Sequence, residues 1–449
     1  MKWLVDNFLS YLENDAIVYN NKQYTYQNLY DQVLDFSQGF LKDVERGEVV
    51  AIVGDYSFNS IALMLALYEN NNIVVPIAAT VELEINDRAR EAYCDKSINV
   101  ETLKIERIKN SLNKHNMIDI LQKKSESGLI LFSSGSTGKP KAMVHSLDNL
   151  INSYQDKRVK KVNMLIFLMF DHIGGLNTMF NALSMGNNLV LPKDKSAEGV
   201  CSLIEEYKIK VLPSSPTFLN LILISGSHKK YNLSSIRMIT YGTETMPESL
   251  LKRIKSEFPR VKLLQTFGTS ETGIARTSSQ SSDSTFMKID DPNLEYKIVD
   301  NELWLKSNTQ VLGYLNASME SFTDDGWFRT GDLVERSDDG FIKIVGRSKE
   351  VINIGGEKVL PVEVESVILS IKEIDDCMVY GEKNAITGQM VVVDVTTSID
   401  IKRKEIKKII RMFCRDKLDN YKIPTKVNLV DKTNFGDRFK KIRQKNVKL

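Results

Sequence analysis

Through residues 25–270, short apolar runs alternate with amphipathic stretches. Val49-Val50-Ala51-Ile52-Val53 is followed by the helix-spaced run Ile61–Tyr68 and then by Ile73-Val74-Val75-Pro76-Ile77. Strand, helix and strand in that order are the signature of parallel sheets with helices packed on their faces. Residues 85–125 are polar and charged and predict surface helix or irregular chain. The Ser/Thr/Asp-rich stretch Thr277–Thr285 predicts an exposed loop. From about Asn301 the hydrophobic period shortens to two. Glu302-Leu303-Trp304-Leu305 and Gly340–Val345 read as strands, punctuated by turn signals at Asp324-Asp325-Gly326 and Asp338-Asp339-Gly340. After Gly346-Arg347-Ser348-Lys349-Glu350 a new α+β segment begins. The pattern predicts an α/β fold in two parts. Residues 1–346 form a large N-terminal domain of parallel-rich sheets flanked by helices plus a β-subdomain, and residues 347–449 a small α+β C-terminal domain.

Length supports this division, because 449 residues exceed one ordinary core. A hydrophobic content of 42% and a charged content of 26% describe a globular protein. The longest purely apolar run, Met164–Phe170, is far short of a membrane span. Asp6 and Asn7 interrupt any secretory signal. Cys94, Cys201, Cys377 and Cys414 are scattered without CxxC spacing, which argues against a zinc site or a disulfide framework and for a reducing cytoplasm. The four histidines are equally scattered and suggest no metal site.

Net charge is only +2 but uneven: residues 401–449 hold 17 Lys+Arg against 5 Asp+Glu. A solvated basic surface explains this, and so does a face for phosphates or for an acidic protein partner. Nucleic acid fits less well, because the stretch lacks interleaved aromatics for base stacking.

Candidate chemistry is densest at Leu129–Met143, where an apolar strand empties into Ser133-Ser134-Gly135-Ser136-Thr137-Gly138-Lys139-Pro140-Lys141. Glycines without Cβ let backbone N–H groups and hydroxyls close around an anion, and two lysines add positive charge. A polyphosphate is the natural ligand. This is not a Walker A loop, since only two residues separate the glycines and Pro140 follows Lys139.

Further loops fall in order behind it: Tyr241-Gly242-Thr243-Glu244-Thr245-Met246-Pro247, Gln265–Gly273, Gly326–Asp332, Gly346-Arg347 and Ile352–Pro361. Together with the 133–141 loop they resemble the adenylate-forming enzymes: acyl- and aryl-CoA synthetases, peptide-synthetase adenylation domains and firefly luciferase. The likeness runs from about Tyr24 to about Gly436. It implies ATP-dependent activation of a carboxylic acid to an acyl-adenylate, then transfer to the thiol of CoA or of a carrier protein's phosphopantetheine. Cofactors would be ATP, Mg²⁺ and CoA, and fatty-acid metabolism in the cytoplasm is the default setting.

By the same resemblance, Ser133, Ser134, Gly135, Ser136, Thr137, Gly138, Lys139 and Lys141 hold the β,γ-phosphates. Glu271 binds Mg²⁺, a hard cation that wants oxygen ligands. Ser270 reaches the α-phosphate beside Thr269. Tyr241, Gly242 and Thr243 lie along adenine, Asp332 takes the ribose hydroxyls, and Arg347 makes a second ribose contact. Lys349 is the hinge about which a mobile C-terminal domain swings, bringing Gly355 and Gly356 to the thiol tunnel. Singly each has an ordinary explanation: a turn aspartate, a helix-terminal acid, a surface ion pair. Jointly they do not.

Phe170-Asp171-His172-Ile173-Gly174-Gly175 reads two ways. His172 with its glycines suits a carboxylic-acid CoA ligase, whereas Asp171 would neutralise the ammonium of an amino-acid substrate. Ser215, Thr217, Thr266, Phe267 and Gly268 complete the expected acyl pocket. The family's C-terminal Gly-Lys pair is altered, since Asp437 follows Gly436 where the lysine is expected. Lys440 is the candidate substitute. Without one, an aspartate facing a negative transition state would slow adenylation or leave a nucleotide-binding protein with little turnover.

Overall fold

A computed structural model describes residues 1–109, 113–133, 140–155, 157–436 and 439–443. Its strands form two large α/β sheets, an antiparallel sheet and a separate C-terminal sheet. In the first large sheet, strands Lys262–Gln265, Met238–Tyr241, Val211–Ser214, Asn163–Leu165, Asn188–Val190 and Asp15–Tyr19 run parallel in that order. In the second, Gly128–Phe132, Ile73–Ile77, Val49–Val53 and Lys96–Asn99 are parallel, with antiparallel strands at both edges. Strand Val49–Val53 is buried almost throughout and Ile73–Ile77 entirely, so each reads as a continuous apolar run rather than an alternating one. Helix Phe58–Glu69 is apolar on every side because it packs in the core; Ser57 caps it by accepting from Ser60 N at 3.0 Å.

The polar stretch 85–125 is more ordered than its composition suggests. It holds helices Glu82–Glu91 and Asn116–Lys124, and Lys96–Asn99 and Ile105–Arg107 extend the second sheet. Thr277–Ser279 likewise forms a short edge strand against Met287–Ile289 before the expected loop. Alternation at 294–347 gives the expected antiparallel sheet: Leu294–Val299, Glu302–Ser307, Phe328–Arg336, Ile342–Arg347, Met287–Ile289 and Thr277–Ser279. The C-terminal sheet, built around Asp376–Asn384 and Gly388–Thr396, has its own apolar core with helices Pro361–Ile368 and Arg403–Arg415. Among the described residues no helix is long and apolar enough to cross a membrane. All four cysteines are free and buried.

Candidate active site

Strands Gly128–Phe132 and Ala142–Ser146 pair antiparallel and pinch the neck of the loop between them. Ser133 N donates to Lys141 O at 3.0 Å, and Lys141 N to Ser133 Oγ at 3.2 Å. Ser134, Gly135, Ser136, Thr137, Gly138 and Lys139 lie outside the described residues, as does Asp437. Ser133 and Lys141 line one wall of a deep cleft; Ser270 and Glu271 line it too. Thr269 Oγ1 accepts from Thr272 N at 3.0 Å, a local turn that fixes Ser270 and Glu271 between them. Tyr314, on edge strand Gly313–Tyr314, donates its hydroxyl to Glu271 Oε1 at 3.1 Å. The Lys141 ammonium sits 4.8 Å from the centre of the Tyr314 ring.

Asp332 and Arg347 face each other across the ladder between Phe328–Arg336 and Ile342–Arg347. Arg347 Nε donates to Asp332 Oδ1 at 2.9 Å. Asp332 is buried just beneath the cleft-lining Gly331 and Arg347. Burial pushes its carboxyl above the usual range, against the pull of Arg347 and Lys440. Lys440 enters the same cleft. Burial and Arg347 lower its ammonium pKa, while Glu244, Glu350 and Asp332 oppose the shift. Lys349 and Arg347 also line the cleft.

At the other end, His172 caps helix Ile173–Ser184, with Nδ1 accepting from Gly174 N at 3.2 Å, and lines the cleft beside Asp171. Asp171 is buried and ion-paired, with Arg88 Nη1 donating to its Oδ2 at 2.9 Å. Arg88 also pairs with Glu84. Thr266, Phe267, Gly268 and Thr269 line the opposite wall with Gly242 and Thr243. Glycine is required at 242, where a Cβ would lie 2.5 Å from Thr266 Oγ1.

Three residues expected at the cleft, Tyr241, Ser215 and Thr217, do not line it. The Tyr241 ring packs into the apolar core with Leu212 and Phe218, so only Gly242 and Thr243 are left to face the cleft. Ser215 and Thr217 are buried off the cleft wall: Ser215 caps helix Pro216–Ile224, and Thr217 N donates to Glu244 Oε1 at 2.7 Å. Ser214, Phe167, Leu168 and Ile274 line the cleft in their place. Gly355 and Gly356 form the turn between Ile352–Ile354 and Glu357–Val359 and stay off the cleft; Tyr380–Lys383 line it instead. Arg88 and Tyr314 had no motif to announce them, and Glu244, though inside the 241–247 loop, was given no role there. The i,i+4 spacing of Glu84 and Arg88 was the one local signal.

The acids suit a shared cation rather than a protein cage. Among the described residues no three His, Cys, Asp or Glu side chains converge on one point. A magnesium ion would draw on phosphate and water oxygens with the Glu271 carboxylate, the sparse protein coordination usual for this hard ion.

The sequence profile of the AMP-binding enzymes matches residues 8–315, and that of the AMP-binding enzyme C-terminal domain matches residues 363–435. The chain belongs to the AMP-binding enzyme family. It is 31% identical over 303 residues to 4-coumarate–CoA ligase-like 9 of Arabidopsis thaliana, 61% of this chain and 54% of that protein. The chain thus spans about half the length of that relative. A 2-succinylbenzoate–CoA ligase of Listeria innocua is 24% identical over 441 residues, 93% of this chain and 92% of that one. The o-succinylbenzoate CoA synthetase of Bacillus subtilis, solved with its acyl-adenylate intermediate, superposes with a TM-score of 0.78. That likeness covers 98% of this chain and 96% of that chain at 21% identity, a likeness of fold. As an AMP-binding enzyme, the chain has the α/β architecture with a C-terminal domain that its hydrophobic pattern predicts.

Proposed function

We propose that this AMP-binding enzyme is an acid–thiol ligase that activates a carboxylic acid with ATP and passes the acyl group to CoA. The observation that carries the reading is the meeting of Glu271, Arg347 and Lys440 in one cleft whose other end is lined by apolar side chains and His172. A substrate carboxylate oxygen attacks the α-phosphorus, the bond to pyrophosphate breaks, and the acyl-adenylate forms. A thiol sulfur then attacks the acyl carbon, AMP leaves, and the thiol proton goes to solvent.

In this reading Lys440 places an ammonium where negative charge gathers on the carboxylate and α-phosphate. A fixed charge in a partly desolvated site is worth far more there than in water. Lys141 and the 133–139 loop face the leaving phosphates, while Asp332 and Arg347 hold the ribose. Magnesium, held by Glu271, would offset phosphate charge. The C-terminal domain, residues 347–449, is proposed to turn about Lys349 between the two half-reactions. Lys440 and its neighbours 441–443 now line the cleft, which suits the adenylation arrangement; Gly355 and Gly356 would approach only after that turn.

The Arg88–Asp171 pair disfavours an amino-acid substrate, because a substrate ammonium would have to compete with a guanidinium already bonded to the Asp171 carboxylate. An aryl acid is preferred to a fatty acid on the names of the relatives, coumarate and succinylbenzoate among them. A carrier protein is the second acceptor reading. Helix Arg403–Arg415 turns Ile406, Ile410 and Cys414 inward and leaves Lys404, Lys408 and Arg411 exposed around Met412. The cytoplasm is the proposed setting, which suits four unpaired thiols. Carboxylate-dependent ATP–pyrophosphate exchange over aryl, fatty and amino acids tests the function, with Glu271→Ala as control. Exchange with one acid class, lost in the control, is expected. Silence with every acid while ATP still binds overturns the reading in favour of a nucleotide-binding protein without turnover.

A further inference from the structure

Residues 434–436 and 439–442 are hydrogen-bonded to each other, and this hairpin-like contact places Lys440. Ile442 N donates to Asn434 O at 2.9 Å, Gly436 N to Lys440 O at 3.2 Å, and Phe439 N to Gly436 O at 2.9 Å. Phe439 stands in the left-handed region at φ +48°, which an aromatic L-residue rarely occupies unless its surroundings impose it. Those surroundings are specific. Its ring lies 5.0 Å from Phe167 and 5.0 Å from Phe218, edge-on to the latter at 70°. Its carbonyl accepts from the buried Ser215 Oγ at 2.7 Å. Two residues on, Lys441 N donates to Glu244 Oε2 at 3.2 Å, and the same carboxylate accepts from Thr217 N through Oε1. Lys441 Nζ turns away from the cleft to Cys377 O at 2.5 Å and Asp376 Oδ1 at 3.2 Å. With both neighbours pinned, Lys440 lines the cleft that Arg347 also lines.

We propose that Phe439 is a positioning residue whose ring, packed against the touching pair Phe167 and Phe218, holds Lys440 in place for adenylation and must leave that seat before thioester formation. This explains how the chain dispenses with the expected lysine at 437: a strained aromatic turn three residues later presents another lysine. The inference rests on the ligase reading above.

The test separates the half-reactions. Phe439→Ala is expected to lower carboxylate-dependent ATP–pyrophosphate exchange between tenfold and about a hundredfold, the scale of misplacing a catalytic group by about 1 Å. Thioester formation from supplied acyl-adenylate should stay within about twofold of wild type, and Phe439→Leu should recover part of the exchange rate. Hydrogen exchange supplies a readout independent of turnover. Phe439→Ala should lose protection at 214–219 and 439–443 but keep it at 49–53. Equal loss in both half-reactions, or unaltered protection at 439–443, overturns the proposal. Silence of the wild-type enzyme with every acid overturns the ligase reading and the catalytic half of this inference together. The hydrogen-exchange comparison still decides whether Phe439 is an anchor.

Discussion

Asp332, just beneath the cleft wall, and Lys440, on it, are placed by two different kinds of construction. Asp332 sits on a strand whose register with Arg347 is set by backbone pairing, so its place follows from the whole ladder. Lys440 sits on a short hairpin held by side chains: one aromatic ring, one serine hydroxyl and a buried ion cluster. A group held by register resists single substitutions elsewhere. A group held by a few side chains can be released by one of them, which is what a group needed in only one half-reaction requires.

The largest effect should come from the lysine itself. Lys440→Ala is expected to lower ATP–pyrophosphate exchange about 10²–10³-fold while leaving ATP binding nearly intact, the scale of removing one preorganised charge stabiliser. An exchange rate within threefold of wild type would mean that the hairpin only closes the cleft. Its neighbour should instead be structural. Lys441→Ala leaves Asp376 without its cation, although Glu365 keeps Arg443 at 2.8 Å. Breaking a buried pair costs about 3 kcal/mol, and urea unfolding should show that loss as a lower midpoint. If Lys441→Ala lost exchange and kept stability, the roles of the two lysines would be reversed.

The strand-built wall has its own weak point, and it is sensitive to pH. His145 is fully buried on strand Ala142–Ser146, opposite Leu129 on the neighbouring strand. Burial lowers its pKa to about 4. In the unfolded chain the ring titrates near 6.5. Between those values the unfolded chain binds a proton that the folded one refuses, so stability falls as pH drops. The slope is about 1.4 kcal/mol per pH unit, or about 2 kcal/mol from pH 6.5 to 5. His145→Leu should flatten the slope of stability against pH by that amount. An unchanged slope would place the acid sensitivity elsewhere.

The wall was readable in sequence and the hairpin was not. Alternating residues at 302–305 and 340–345, bounded by Asp-Gly turns, fix a ladder by local rules, and the loops it carries have recognisable spacing. The same holds for Val49–Val53 and Ile73–Ile77, whose continuous apolar runs gave strands of the expected bounds. Residues 433–443 have no such periodicity. Besides nearby Phe435, the ring partners of Phe439 are Phe167 and Phe218, far back in the chain, so nothing near Gly436 signals that a phenylalanine will take the left-handed turn. Ser215 and Thr217 misled for a related reason. Hydroxyls near a pocket read as ligands, yet Ser215 spends its oxygen on a helix cap and the hairpin. Asp171 read as a lone charge because Arg88 stands 83 residues earlier.

The smallest effect tests whether the wall also depends on side chains at one point. Tyr314 is fixed by pairing with Met143 on the strand that leaves the phosphate loop, and its hydroxyl holds Glu271 Oε1. Tyr314→Phe keeps the ring under Lys141 and removes only that hydrogen bond, which is worth about 1.5–3 kcal/mol when its acceptor is charged. Much of that is recovered by water at a partly exposed carboxylate, so the saturated exchange rate should fall less than tenfold. The Mg²⁺ concentration giving half that rate should rise about tenfold, as expected when a partner orienting a metal ligand is lost. Glu271 would then be held partly by a side chain contributed by the edge strand, and the phosphate loop and the metal ligand would share one support. An unaltered Mg²⁺ requirement would instead show that the Thr269–Thr272 turn places Glu271 unaided, leaving the hairpin as the part of the cleft whose seating against its neighbours depends on side chains.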